Sequence, residues 1–193
     1  LVPMTYIPPS EFTRGNKSGF PDERIERTVA LDGFYIDQYE VTNRQYDRCV
    51  RAGFCETPRL PRSINFSRYF AQATFGNYPV IWVSWHDAAE YCDYVGKRLP
   101  TEAEWERAAR GPANTIYPWG NAIPVEQTNF DYLRRDVVPV GSFIQDRSPY
   151  GVYDLAGNVR EWVSDWYEWD YYQVANENNP AGPEAGVTKV LRG

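Results

Sequence analysis

The sequence predicts an α+β fold with short strands, about three helices and many loops, and three observations predict it. Strand-forming residues gather where side chains alternate between faces, at 34–39 and again at 162–166. Three helical segments open on N-capping hydroxyls at Thr42, Ser84 and Thr101, and capping boxes are completed by Gln45 and Glu104 three residues after the two threonines. Fifteen prolines and an aromatic content of 16% point to rings packed between loops, more than to long helices. A chain of 193 residues that is 42% hydrophobic can bury one good core and is short for two, so residues 1–193 read as a single domain.

Val29–Glu40 is rich in strand formers, with Phe34, Ile36 and Gln38 on one side and Tyr35, Asp37 and Tyr39 on the other. A helix follows from Thr42, with Val41 and Tyr46 placed as a hydrophobic staple and Gly53 as its stop. Arg44, Arg48 and Arg51 share one face of it, with Arg59, Arg62 and Arg68 soon after. This face is either a docking surface for an acidic partner or a solvated helix face, and charge runs usually mean the second. Cys49 and Cys55 flank the helix end. A reversal at Gly53 brings them within bonding range, which favours a disulfide and an oxidising compartment; the alternative is two buried thiols in a cytosolic protein.

Residues 54–78 form a long polar connection studded with aromatics, the kind of loop that often contacts a partner. Pro79–Trp85 leads into the second helix, whose apolar stripe is Trp85, Ala88, Ala89, Cys92 and Val95, with Gly96 as its end. Cys92 packs there as a small hydrophobe. In the third helix Trp105, Ala108 and Ala109 face inward, while Glu102, Glu104 and Glu106 beside Arg107 and Arg110 fit capping and surface pairing better than acid–base chemistry. Tyr117–Asn121 is turn chemistry wrapped around aromatics. The single histidine, His86, lies in a first helical turn and reads as a capping or packing residue. The segments 167–173 and 176–186 suit a surface edge.

The stretch 151–166 organises the rest. Asp154 and Glu161 bracket a Gly157-Asn158 turn, so two carboxylates and several turned carbonyls can converge on a hard cation, for which calcium is the natural match. Trp162, Ser164 and Trp166 then fall on one side of an extended segment and Val163 and Asp165 on the other, a strand pattern. The plainer alternative, that the acids only cap turns while the aromatics fill a core, is favoured by spacing alone.

Gly151-Val-Tyr-Asp-Leu-Ala-Gly-Asn-Val-Arg-Glu-Trp-Val-Ser-Asp-Trp166, together with Arg98-Leu-Pro-Thr-Glu-Ala-Glu-Trp-Glu-Arg-Ala-Ala-Arg-Gly111 and Tyr117-Pro-Trp-Gly-Asn121, closely resembles the formylglycine-generating enzyme, or sulfatase-modifying factor, superfamily. The resemblance runs from about Tyr6 to Gly193, with Thr5–Phe12 resembling the family's opening strand. It implies a C-type-lectin-like fold. It also implies a structural calcium held by the carboxylates of Asp154 and Glu161 and the carbonyls of Gly157 and Val159, and a first calcium site drawing on Asn129, Phe130 and Asp131, whose partner segment is shortened here so that Asp131 or Asp136 would have to substitute. Val190-Leu-Arg-Gly193 resembles the opening of the terminal strand motif, so the chain reads as lacking the family's C-terminal segment. The copper-binding cysteine pair of the oxidase members lies in that segment, and none of Cys49, Cys55 or Cys92 matches it. The iron-dependent members need several histidines.

A formal charge of −6 argues against nucleic-acid binding, and no apolar run reaches membrane-spanning length. Together these readings predict a non-catalytic, calcium-braced module outside the cytoplasm that binds protein or serves as a subunit of a larger assembly, through 54–78 or Arg44, Arg48 and Arg51. The alternatives are the N-terminal part of a copper-dependent formylglycine-generating oxidase, a ligand-sensing domain of a receptor or kinase, and, for the compartment, the cytoplasm.

Overall fold

Pro8 and Pro9 have no amide proton to give a ladder, so the first extended stretch breaks in two. In the computed structural model, which describes residues 3–122, 128–129 and 136–193, β1 is Met4–Ile7 and β2 is Ser10–Arg14. The chain returns as β3, Arg27–Leu31, and β4, Phe34–Asp37, which pair antiparallel with β2 and β1 respectively, from Arg14 opposite Arg27 to Met4 opposite Asp37. The continuous strand expected over 29–40 is therefore divided at Asp32-Gly33, where the backbone leaves one pair for the next. The outer edge of β3 is covered. Ala30 N–H donates to Glu177 O at 2.7 Å and Asn179 N–H to Ala30 O at 2.8 Å, so the expected surface segment 176–186 closes a sheet edge.

The helices start where their caps dictate. α1 is Asn43–Arg51, α2 is Trp85–Tyr94 and α3 is Glu102–Arg110. Thr42 and Thr101 accept from the N–H groups of Gln45 and Glu104, as their spacing predicts, and Ser84 adds a third reciprocal pair with Asp87. The stripe expected on α2 is only half-buried. Its buried residue is Tyr91, which packs against Tyr46 at 5.8 Å, because α1 approaches from the side. A one-turn helix, α4 at Tyr171–Val174, was not foreseen in the aromatic segment, and Tyr172 within it is buried.

α3 departs most from the sequence reading: all nine of its residues are buried, including Glu102, Glu104 and Glu106. Surface pairing is thus corrected to buried pairing, with arginines brought in from other elements. Arg14 of β2 pairs with Glu102, while Arg192 lies 3.6 Å from Glu102 and 3.8 Å from Glu106. Glu104 keeps its capping role and is held by Arg98 through two bonds of 2.6 and 2.7 Å. Trp105, Ala108 and Ala109 join Ile7, Val152, Leu155, Val163 and Val190 in the main apolar cluster.

β5, Glu161–Trp166, and β6, Lys189–Arg192, pair antiparallel with an irregularity between Trp162 and Trp166. The inward face of β5 is Val163 and Asp165, not the tryptophan side. Asp165 is used: its carboxylate accepts from Glu102 N–H at 2.9 Å and fixes the start of α3 against β5. Cys49 and Cys55 form a disulfide with Cα atoms 5.3 Å apart, inside a cluster with Tyr46 and Tyr91. Cys92 packs at the margin of that cluster. Among the described residues no helix is long and apolar enough to cross a membrane.

Candidate functional site

The loop before β5 turns tightly enough to use left-handed backbone at two non-glycine positions, Asp154 at φ 62° and Asn158 at φ 66°. Asx residues tolerate this region better than most, so the sequence permits the turn. Three segments clasp it. Tyr153 N–H donates to Gln38 O at 2.9 Å, Asp154 N–H to Asp146 O at 3.2 Å, and Gly141 N–H to the Asp154 carboxylate at 2.6 Å. Gly141 must be glycine: its φ is 70°, and a Cβ there would meet the Tyr39 ring at 2.6 Å.

Glu40, at the exit of the β4 segment, completes the enclosure. Its carboxylate accepts from Val159 N–H at 3.1 Å and from the Asn158 side-chain amide at 2.7 Å. Asn158 in turn accepts from Val138 N–H at 2.9 Å, and Glu161 accepts from the Trp105 indole N–H at 3.3 Å. Four carboxylates, Glu40, Asp146, Asp154 and Glu161, thereby share one interior region, and none takes part in an ion pair among the described residues.

Their titration reflects their burial first. Burial, with repulsion from Asp154, pushes the Asp146 carboxyl up to about 8. Burial pushes Glu161 up to about 8 despite the Trp105 hydrogen bond, and Asp154 up to about 6 despite the Gly141 N–H. Glu40 is raised well above the ordinary carboxylate range, by burial first and then by Asp154 and Glu161. One oxygen each of Asp146 and Asp154 is buried without a hydrogen-bond partner among the described residues. Orphaned anionic oxygens in a low-dielectric region are costly, and a hard cation or a proton relieves them.

Of the four residues the sequence singles out, Asp154 is buried and Gly157, Val159 and Glu161 are half-buried along the same turn. Val159 offers its N–H to Glu40, and its carbonyl faces Gly193, where a Cβ would stand 2.8 Å away. No trio of carboxylate, imidazole or thiol groups among the described residues gathers around one point. A cation in this loop would therefore rest on two carboxylates and carbonyl oxygens, the donor class that calcium accepts. Sequence reasoning missed Glu40 and Asp146. Both lie outside the motif, and only the folded chain carries them to it.

Asn129 is buried and its amide donates to Asp136 O at 2.8 Å, while Phe130 and Asp131 lie outside the described residues. Asp136 is already engaged: its carboxylate takes the Ser63 hydroxyl at 2.7 Å, Asn65 N–H at 2.8 Å and Val137 N–H at 2.9 Å. Its role is to hold the 54–78 connection to the body. Arg44, Arg48 and Arg51 are exposed, and Arg51 pairs with Asp47 at 2.7 Å. His86 is exposed beside the Trp85 ring.

Similarity to known proteins agrees with the motifs. The family model for the sulfatase-modifying factor enzyme 1-like domain matches residues 2–193. Serine/threonine-protein kinase pkn1 of Chlamydia caviae is 36% identical over 98% of this chain, which spans about a third of the kinase's length (32%). Formylglycine-generating enzyme of Thermomonospora curvata is 34% identical, with 98% of this chain and 81% of the enzyme aligned. The solved structure of PvdO from Pseudomonas aeruginosa superposes with a TM-score of 0.76 at 26% identity, covering 98% of this chain and 80% of PvdO. By the length of the family match and by the fold, the chain belongs to the sulfatase-modifying factor enzyme 1-like domain family.

Proposed function

We propose that this chain is a non-catalytic member of its family, a C-type-lectin-like body braced by calcium that binds protein or serves as a subunit of a larger assembly outside the cytoplasm. The observation that carries the reading is the set of buried carboxylates around Asp154, which among the described residues have no ion-pair partner and include two oxygens with no hydrogen-bond partner. Asp154 and Glu161 would hold the ion by carboxylate, and Gly157 and Val159 by carbonyl. The ion would supply a structural clamp for a turn that has no ladder of its own.

The cysteines support the non-catalytic half of the reading. Cys49 and Cys55 are joined to each other, and burial pushes the Cys92 thiol up to about 11, which leaves little thiolate at neutral pH. The disulfide supports an oxidising compartment.

Calcium titration followed by thermal unfolding tests the proposal. At a hundredfold excess over Kd, a single site adds about 2.7 kcal/mol. For a chain of this size that is a rise in Tm of about 5–10 °C. Asp154→Asn with Glu161→Gln abolishes the rise. An unchanged Tm at millimolar calcium removes the clamp from the proposal.

Two rival readings each rest on a relative. Similarity to the Thermomonospora enzyme favours an oxidase whose catalytic thiols lie beyond this stretch, and similarity to the chlamydial kinase favours a sensing domain attached to a kinase. Sequencing the natural polypeptide to its C-terminus and measuring copper-dependent oxygen consumption separates them. A downstream cysteine pair with oxygen uptake favours the oxidase, and a kinase domain in the same polypeptide favours the sensor.

A further inference from the structure

Trp82 is held in backbone that large side chains avoid. Its φ is 64°, in the left-handed region, yet half of its surface (50%) faces solvent. Such strain persists only where the surrounding structure enforces it, and it collects at functional positions. Burial does not explain this one. Two bonds fix the residue: its indole N–H donates to Arg62 O at 2.7 Å, and its carbonyl accepts from Arg59 N–H at 3.0 Å.

The adjoining loop is just as firmly built. Tyr69 and Phe70 N–H groups both reach Pro61 O, at 2.7 and 3.2 Å, and Ser63 N–H donates to Phe66 O at 2.9 Å. Beneath them the buried Ser63 hydroxyl is anchored on Asp136. This ordered frame leaves apolar surface exposed, with Ile64 at 66% and Phe66, one side of whose ring packs on Phe75 at 4.7 Å, at 41%. Arg59 and Arg62 beside them are exposed and form no ion pair among the described residues.

We propose that loop 58–68 and Trp82 form a preorganised docking surface for an acidic polypeptide segment carrying apolar side chains. Rigid tryptophan and arginine are the residues that dominate binding energy at interfaces, and rigidity reduces the ordering cost of association. Charge complementarity selects the partner. From 43 to 70 the sequence has six arginines against Asp47 and Glu56, on a chain whose net charge is −6. A long polyanion would meet the acidic remainder of the molecule, whereas a short acidic segment meets the basic patch alone. This deepens the binding half of the function proposed above and is independent of the cation loop.

The test uses the whole chain and a short fluorescein-labelled peptide alternating Asp or Glu with Leu and Phe, read by fluorescence anisotropy at low and moderate salt. Binding is expected, weakened about tenfold or more by Arg59→Ala with Arg62→Ala and left unchanged by the charge-matched control Lys17→Ala with Arg24→Ala. Trp82→Gly, which relieves the left-handed strain, loses the peptide while the chain stays folded. No binding by the parent chain, equal loss in the control, peptide retention by Trp82→Gly, or tighter binding of a heparin oligosaccharide through the same arginines overturns the proposal. Calcium-induced stabilisation with no peptide binding overturns the docking surface and leaves the clamp standing.

Discussion

At the scale of single residues, the carboxylates around Asp154 decide how the protein responds to pH. A carboxyl whose folded pKa is raised holds its proton more tightly when folded than when unfolded. Stability is then fully present below the unfolded pKa and is lost as pH rises toward the folded value. For Asp146 and Glu161 that window opens near 3.8 and 4.5 and closes at about 8, and for Asp154 it closes at about 6. The metal-free protein is therefore expected to melt at lower temperature at pH 8 than at pH 5. Calcium, which needs ionised ligands, is expected to raise Tm more at pH 8 than at pH 5. Paired melts in EGTA and in calcium at both pH values check this, and a calcium effect that is larger at pH 5 contradicts it. The acidic pair proposed to hold the ion was legible in the sequence, because Asp154 and Glu161 flank one turn. Glu40 and Asp146 were not, since an acid distant in sequence carries no mark of where it will be folded.

Among the elements, α3 shows what pattern can and cannot say. Its cap at Thr101 and its inward residues Trp105, Ala108 and Ala109 follow from spacing alone. Glu102 and Glu106 are buried because β2 and β6 pack against the helix and bring Arg14 and Arg192 to them. Arg14 is 1% exposed, pairs with Glu102 and stacks 3.8 Å above the Tyr172 ring. Burial raises the Glu102 carboxyl above its ordinary range in spite of Arg14 and Arg192, so desolvation outweighs the pairing. Removing one partner then strands a charge. Arg14→Met is expected to cost about 3–5 kcal/mol, and Arg14→Met with Glu102→Met markedly less than that. Urea unfolding of the two variants decides, and a single variant costing under about 1 kcal/mol refutes the network's importance. A local element also sets the next expectation. The Cys49–Cys55 loop is short, so replacing both cysteines by alanine is expected to cost about 2 kcal/mol while α1 persists, as read by urea unfolding and circular dichroism.

For the molecule as a whole, long-range ties hold together a body that has little regular structure. Arg192, near the end of the chain, bonds Glu23 at 2.6 Å, and the Trp85 indole donates to Val163 O at 2.8 Å across most of a hundred residues of sequence. Asp136 does the same for the connection that bears Ile64 and Phe66. The sequence by itself determined the α+β class, the caps that start α1, α2 and α3, the closeness of Cys49 and Cys55 across a turn and the acidic turn before β5; the structure decided that the two cysteines are bonded. All of these depend on neighbours within a few residues, where periodicity, capping and loop closure act. Only the tertiary structure decided that the α3 glutamates are buried, that Glu40 and Asp146 join Asp154, and that Trp82 is strained and faces solvent. Burial and electrostatic environment depend on which distant segments pack together, and that is fixed by the closing of the whole core.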